Sequence, residues 1–324
     1  MRRLLYVVLA CLLLVASAAC GGGDSGAKAG ATKKPAVDKG DTISGLTVTG
    51  KLGADPAITV KPALQVSKPL TEVVSAGTGS PVQTNKKTVL NISIATGKGK
   101  KLYSDAQRGV PTQAVMAENQ FFKVFIDGLV GNPEGSRVAI AAKVKDLWGS
   151  AGFPQLKLKA ADTVVFVIDV LSVEPTTVLK APKGATVTSP ADAPKVVESG
   201  GKVTGLDFSK APKKPPTKLQ VIPLVNGSGP AAKAKHLVTF NYYGAVWGSK
   251  KPFDSSFSRG EPTSFAVGVG QLIPAWDKVI PGLKLGSRVL IIAPPKQAYG
   301  AQAQQNIPKN STLAFVVDVL GVDG

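Results

Sequence analysis

The chain has 324 residues, 44% hydrophobic and 19% charged, with a formal net charge of +18. That length admits two ordinary domains with linkers, and the apolar fraction excludes wholesale disorder. With one histidine (His236) and two cysteines (Cys11 and Cys20), a His- or Cys-ligated metal centre is nearly excluded and a Ser-His-Asp triad would have to use His236, so neither metal nor cofactor is expected.

Residues 1–19 read as a secretory signal peptide. Arg2-Arg3 precede an apolar run from Leu4 to Val15 that is too short to span a bilayer. Ser17-Ala18-Ala19-Cys20 resembles a bacterial lipoprotein cleavage box, so Cys20 is expected to carry the lipid and become the mature N-terminus. That places the chain in the cell envelope, anchored to the outer face of the cytoplasmic membrane; the alternative is a cleaved, secreted chain with a free thiol. Cys20 then stands alone, so no intrachain disulfide is expected. Residues 20–40 are Gly, Ala, Lys, Asp and Ser, the composition of a flexible tether. Behind an export leader, the lysine excess suits plain solubility, or the anionic polymers and lipids of an envelope. No Arg-lined helix or aromatic-interleaved pattern points to nucleic acid.

Residues 41–175 and 217–324 read as two folded units. Between them, residues 176–216 are rich in Pro and Lys, and the run from Lys210 to Thr217 reads as a stiff, extended spacer. Thr88 to Ala95, Val164 to Val170, Leu237 to Tyr243, Arg288 to Ala293 and Thr312 to Leu320 have the β-branched content and alternation of strands. One short helix opens at Pro274 and stops at Pro281-Gly282. Several strands and one clear helix in the second unit predict an α+β fold, an antiparallel sheet wrapped on a helix. The two units repeat each other. Phe315-Val-Val-Asp-Val-Leu-Gly-Val322 follows Phe166-Val-Ile-Asp-Val-Leu-Ser-Val173 by 149 residues, as Pro230 follows Pro81 and Asp254 follows Asp105. Gly286-Ser-Arg-Val289 follows Gly135-Ser-Arg-Val138 by 151. A near-constant offset over so long a span indicates two copies of one domain.

Strand alternation puts Phe240 and Tyr242 on one face, and Phe315, Val317 and Val319 on another strand's face, while Trp276 and Ile280 share a helix face. Periodicity alone would make all of these core. Their order says more. Phe-Asp-Ser-Ser (253–256), Gly-Gln-Leu-Ile-Pro-Ala-Trp (270–276), Pro-Gly-Leu-Lys-Leu-Gly (281–286), Ala-Tyr-Gly (298–300) and Ile-Pro-Lys-Asn-Ser-Thr-Leu (307–313) resemble the FKBP-type peptidyl-prolyl isomerases, across essentially all of Leu219 to Val322.

The resemblance implies a twisted sheet curled around one helix with an apolar pocket between them. By position, Trp276 is the pocket floor, and Tyr242, Phe253, Leu272, Ile273 and Phe315 are its walls. Asp254 and Tyr299 supply polar contacts at the rim, and Phe265 and Ile307 complete the substrate-binding set. Asp254 has a second reading, a carboxylate that orders its turn by pairing with Arg259; Tyr299 has one as a loop cap. Thr263 stands where the family commonly has an aromatic, and the loop 301–306 is about a residue short, so the pocket is expected to be shallower on one side.

In the first unit, Phe122 is read at the place of Trp276, Trp148 at Tyr299 and Asp105 at Asp254. Ser104 then replaces Phe253, Ser93 replaces Tyr242, and Glu118 and Asn119 replace Leu272 and Ile273. This predicts a degenerate FKBP-like copy, alike in fold but wetter in its pocket and poor in catalysis. The whole is expected to act on proline-containing polypeptide clients and to assist the folding of exported proteins. The rival readings are a chaperone lipoprotein that holds peptides without turning them over, and a spacer whose lysine-rich surface meets acidic polymers.

Overall fold

The computed structural model describes residues 42–323; the expected leader, the expected lipid site at Cys20 and the expected tether lie outside them. The chain divides after Val173 into two units. No helix among the described residues is long and apolar enough to cross a membrane.

The first unit contains β1 (Leu46–Thr49), β2 (Ala57–Val60), β3 (Leu70–Ser75), β4 (Lys87–Thr96), β5 (Lys101–Ser104), α1 (Asp105–Arg108), β6 (Thr112–Val115), α2 (Lys123–Leu129), β7 (Arg137–Lys143), α3 (Lys145–Trp148) and β8 (Thr163–Val173). Its main sheet runs β3-β7-β8-β4-β5, with β6 paired to β4, and β1-β2 form a separate hairpin. The second unit contains β9 (Gly184–Thr186), β10 (Lys195–Ser199), β11 (Lys202–Asp207), β12 (Gln220–Gly227), β13 (Leu237–Val246), β14 (Pro252–Ser255), α4 (Ser256–Arg259), β15 (Thr263–Ala266), α5 (Pro274–Val279), β16 (Arg288–Ala293) and β17 (Leu313–Val322). Its sheet runs β14-β13-β17-β16-β12-β9 with β15 on β13, and β10-β11 pair apart. Leaving out β9, the two orders are the same, every ladder is antiparallel, and both units are α+β as expected.

Each sheet buries both faces. In the second unit the front face packs Phe240, Val289, Ile291, Val317 and Val319 against Trp276 and Ile280 of the α5 region. The back face packs Tyr243, Leu290, Ile292 and Val316 against Val203 and Leu206 of β11. The first unit does likewise, with Phe125 and Leu129 of α2 in front and Val60 of β2 behind. Strands covered on both sides can be apolar at consecutive positions, which accounts for runs such as Leu-Ala-Phe-Val-Val in β17.

The expected linker is therefore not a spacer over most of its length. Residues 184–207 carry three strands that belong to the second unit, which begins at Glu174. The Pro and Lys spread over 176–216 mask a short hairpin. Gly200 and Gly201, at φ 58° and 75°, form its two-residue turn between Ser199 and Lys202. Such a turn needs positive φ at both central residues, and glycine supplies that without steric cost.

One row of polar side chains crosses each back face. Asn91, Asp169 and Arg137 are neighbours across β4, β8 and β7; Asn241, Asp318 and Arg288 are neighbours across β13, β17 and β16. Arg137 Nε and Nη2 donate to the two carboxylate oxygens of Asp169 at 2.6 and 2.9 Å. Arg288 holds Asp318 in the same bidentate way and reaches Glu198 of β10 with its remaining nitrogen. Burial alone would draw the Arg288 guanidinium down, but the hydrogen bonds it donates to Asp318 and Glu198, with their negative charges, more than offset that and keep it firmly charged.

Candidate active site

The site lies on the front of the second sheet. Pro274 fixes the start of α5, and Ile273 ahead of it is extended at φ −61°, ψ 147°. Asp277, in the first turn, accepts from the N–H groups of Gly268 and Gly270 at 2.7 and 2.8 Å and so clamps the loop that carries Gln271 and Leu272. With that loop held, the N–H of Ile273 points into no bond among the described residues.

Trp276 is the centre of an aromatic cluster. Its ring meets Phe240, Tyr242 and Phe315 edge-on, at 5.0, 5.3 and 5.3 Å between centroids. Phe253 meets Phe315 at 5.6 Å, also edge-on. This last contact requires Gly244, because a Cβ there would stand 2.8 Å from Phe253 and 3.0 Å from Phe315. Tyr242, Phe253, Asp254, Phe265, Leu272, Ile273, Trp276, Tyr299 and Phe315 line one solvent-open cavity of about 400 Å³, joined by Gln271, Pro274 and Ala298.

Ile307 is the exception among the ten expected residues. It is 5% exposed and packs in the core cluster without reaching the cavity wall. Its chain bends back to pair with Gln304, which turns the side chain inward. Thr263 does not line the cavity either; it pairs with Phe240 at the end of β15.

The polar rim is a closed network. The Tyr242 hydroxyl donates to Asp254 Oδ2, and Arg259 Nη1 donates to Asp254 Oδ1. Arg259 Nη2 also donates to the Tyr242 oxygen at 3.0 Å, with the guanidinium 5.5 Å from the Tyr242 ring centre. Asp254 thus has both of the roles open to it: it pairs with Arg259 and it stands on the pocket wall. Beneath them, Ser256 Oγ accepts from the Tyr242 N–H at 2.8 Å and donates to Asn241 Oδ1 at 2.8 Å, which ties the start of α4 to β13. Arg259 stands where the second reading of Asp254 expects it, whereas Ser256 has no role of its own in the sequence reading; the signal for it is its spacing from Asp254 on one tight turn.

Burial, then the hydrogen bond to Asp254, raises the Tyr242 phenol above its ordinary value. Tyr299, 39% exposed at the rim, is raised by burial and by the negative charge of Asp254. Both hydroxyls therefore keep their protons throughout the neutral range, and the site offers hydrogen-bond donors over an aromatic floor.

Comparison with known proteins agrees with this geometry. Residues 229–320 match the family described as FKBP-type peptidyl-prolyl cis-trans isomerase. The FK506-binding protein of Streptomyces anulatus is 36% identical over 111 residues, which are 34% of this chain and 90% of that protein. The chain belongs to the FKBP family. FK506-binding protein 1 of Debaryomyces hansenii is 43% identical over 110 residues, 33% of this chain and 97% of the relative. The FKBP-type isomerase FkpA of Escherichia coli K12 is 40% identical over 96 residues, 30% of this chain and 34% of that protein. The C-terminal unit is an FKBP-type peptidyl-prolyl cis-trans isomerase domain, and proline-containing peptides are its substrates.

The first unit has the FKBP strand order with a different interior, and several expected correspondences shift. Tyr242 lies opposite Val317 and Ile92 opposite Ile168, so Ile92, and not Ser93, holds the place of Tyr242. Gly244 pairs with Asp254 and Ile94 with Tyr103, so Tyr103 replaces Asp254 and Leu102 replaces Phe253. Asp105 instead matches Ser256, since it accepts from the Ile92 N–H at 3.0 Å. The third residue of α2 is Phe125, which replaces Trp276, and Phe121 and Phe122 precede it where Leu272 and Ile273 stand. The two copies are offset by 150 at β4 and β13, by 151 from β5 and β14 to α2 and α5, and by 149 at β8 and β17, which a single offset cannot follow.

The consequence is an interior of packed aromatic rings, where polar replacements are expected. Phe125 meets Phe166 at 4.7 Å, Phe122 meets Trp148 at 5.9 Å, and Trp148 stacks on Phe153 at 4.8 Å with 11° between planes. Phe122, Phe125 and Phe153 are each buried.

Proposed function

We propose that the second unit accelerates rotation about X–Pro bonds in exported polypeptides, and that Cys20 anchors the chain by lipid to the outer face of the cytoplasmic membrane. The observation that carries the catalytic reading is the convergence of Tyr242, Phe253, Trp276 and Phe315 on one cavity beside an Asp254–Tyr242–Arg259 network.

An X–Pro amide resists rotation because resonance holds it planar, with a barrier of about 20 kcal/mol. Twisting breaks the resonance and leaves a less polar carbonyl with a pyramidal nitrogen. An aromatic cavity that excludes water favours that form over the planar, well-solvated one. The N–H of Ile273 and the hydroxyl of Tyr299 are placed to bind the carbonyls flanking the proline and so hold the peptide in register. Asp254, paired with Arg259 and hydrogen-bonded by Tyr242, acts through hydrogen bonding and field. No proton is transferred and no covalent bond forms.

The test is exchange between cis and trans forms of an Ala-Pro peptide, with the full chain added in catalytic amount. Acceleration is expected; its absence from a folded sample would overturn the reading. Because Tyr242 and Tyr299 are raised above their ordinary values, the rate should be flat from about pH 6 to 9 and fall only as the phenols lose their protons above that range. A bell-shaped profile centred near neutrality would instead mark a titrating acid or base.

The first unit, where Phe122, Trp148 and Phe153 pack on one another and, among the described residues, no counterpart of the Asp254 carboxylate stands beside them, contributes fold and reach without turnover. The envelope placement rests on the leader and on the box that ends at Cys20. Cys20→Ser should abolish incorporation of labelled palmitate and release the chain from the membrane fraction of producing cells. Retention of both label and membrane would rule Cys20 out.

A further inference from the structure

The row Asn–Asp–Arg on the back of each sheet meets different neighbours in the two units. In the first unit the loop 50–56 between β1 and β2 lies across it. Arg137 donates to the carbonyls of Gly50 and Lys51 at 2.8 and 3.0 Å. Asp169 Oδ2 accepts from the Gly53 N–H at 2.7 Å, and Asn91 Nδ2 donates to the Ala54 carbonyl at 3.2 Å. The row thus binds the main chain of a short turn.

In the second unit the covering hairpin has only the Gly200-Gly201 turn, too short to reach the same place. Glu198 takes the free nitrogen of Arg288, in place of the two carbonyls. Asn241 and Asp318 instead face a cavity of about 500 Å³, walled by Leu179, Phe257, Gly200 and Leu320. Asn241 Oδ1 is taken by Ser256, and Nδ2 makes no hydrogen bond among the described residues. Asp318, 1% exposed, is bonded only by Arg288 among them, whereas Asp169 holds both its arginine and a backbone N–H.

We propose that this cavity is a second peptide-binding site, which takes the turn of another polypeptide whose glycine N–H bonds Asp318 and whose next carbonyl accepts from Asn241. The first unit defines the ligand. Gly53 sits at φ 72°, and a Cβ on it would stand 3.3 Å from Leu171, the counterpart of Leu320. A glycine followed by a small residue is therefore selected, both by the backbone and by the wall. The site is on the opposite face of the sheet from the isomerase cavity and does not require proline, so it stands or falls separately from the catalytic reading.

The probe is a capped peptide with the sequence of residues 49–55, which contains no proline, titrated into the full chain and followed by NMR. Saturable shifts are expected at the Asn241 side-chain amide and at the Gly200 and Gly201 amides. Asn241→Leu removes the donor, and Val178→Trp, at an exposed position on the rim, blocks the mouth; each should weaken binding at least tenfold. Exchanging the glycine at position 53 of the peptide for L-valine should do the same, while D-alanine should be tolerated. Absence of shifts, or equal binding of the L-valine peptide, or equal binding by a folded Val178→Trp chain, would overturn the proposal.

Discussion

Phe253→Ala in the full chain is expected to lower kcat/KM for an X-Pro peptide by roughly 10- to 100-fold, because burying a phenylalanine-sized wall contributes about 1.5–3 kcal/mol and each 1.4 kcal/mol is a factor of ten. The side chain is only half-buried, at the cavity edge, so the thermal midpoint should move little. Asp254→Leu should act in the same direction, by leaving Tyr242 and Arg259 without their common acceptor. With both changes present, the losses should compound and kcat/KM should fall below that of either single variant. Equal losses of stability and turnover would mark the two residues as scaffold.

The second large effect concerns stability. Arg288→Met should destabilise the second unit by about 3–5 kcal/mol, because it strands a buried Asp318 without its bidentate partner. Hydrogen exchange of the β16 and β17 amides measures this without interference from the other unit. Adding Asp318→Leu should restore most of the loss, since an apolar pair avoids the desolvation that the ion pair incurs. If the double variant is as unstable as the single one, the row acts through more than its charge pairing.

Much of this was legible before any coordinates. The β-branched runs at Leu237 and Thr312 marked strands, and Pro274 with Pro281-Gly282 bounded the helix that carries Trp276. The order of Phe253, Leu272, Trp276, Tyr299 and Phe315 located the cavity. Ile307 misled because a single apolar residue in a loop carries no direction; only the pairing with Gln304 turns it toward the core. The first copy differs for another reason: Phe121, Phe122 and Phe125 carry the correct alignment, but short insertions hide it, so apolar rings stand where polar replacements are expected. The hairpin at 195–207 is hidden in the sequence because its two strands are mostly exposed, with Val203 and Leu206 the buried residues, and so look like solvated linker.

That hairpin decides where the protein tolerates being cut. A fragment begun at Thr217 would shed β9, β10 and β11 and bare Tyr243, Leu290 and Val316 to water, a broad greasy plane on an otherwise sound domain. Such a piece would stick to itself and be mistaken for an inactive enzyme, whereas one begun at Glu174 keeps its own cover.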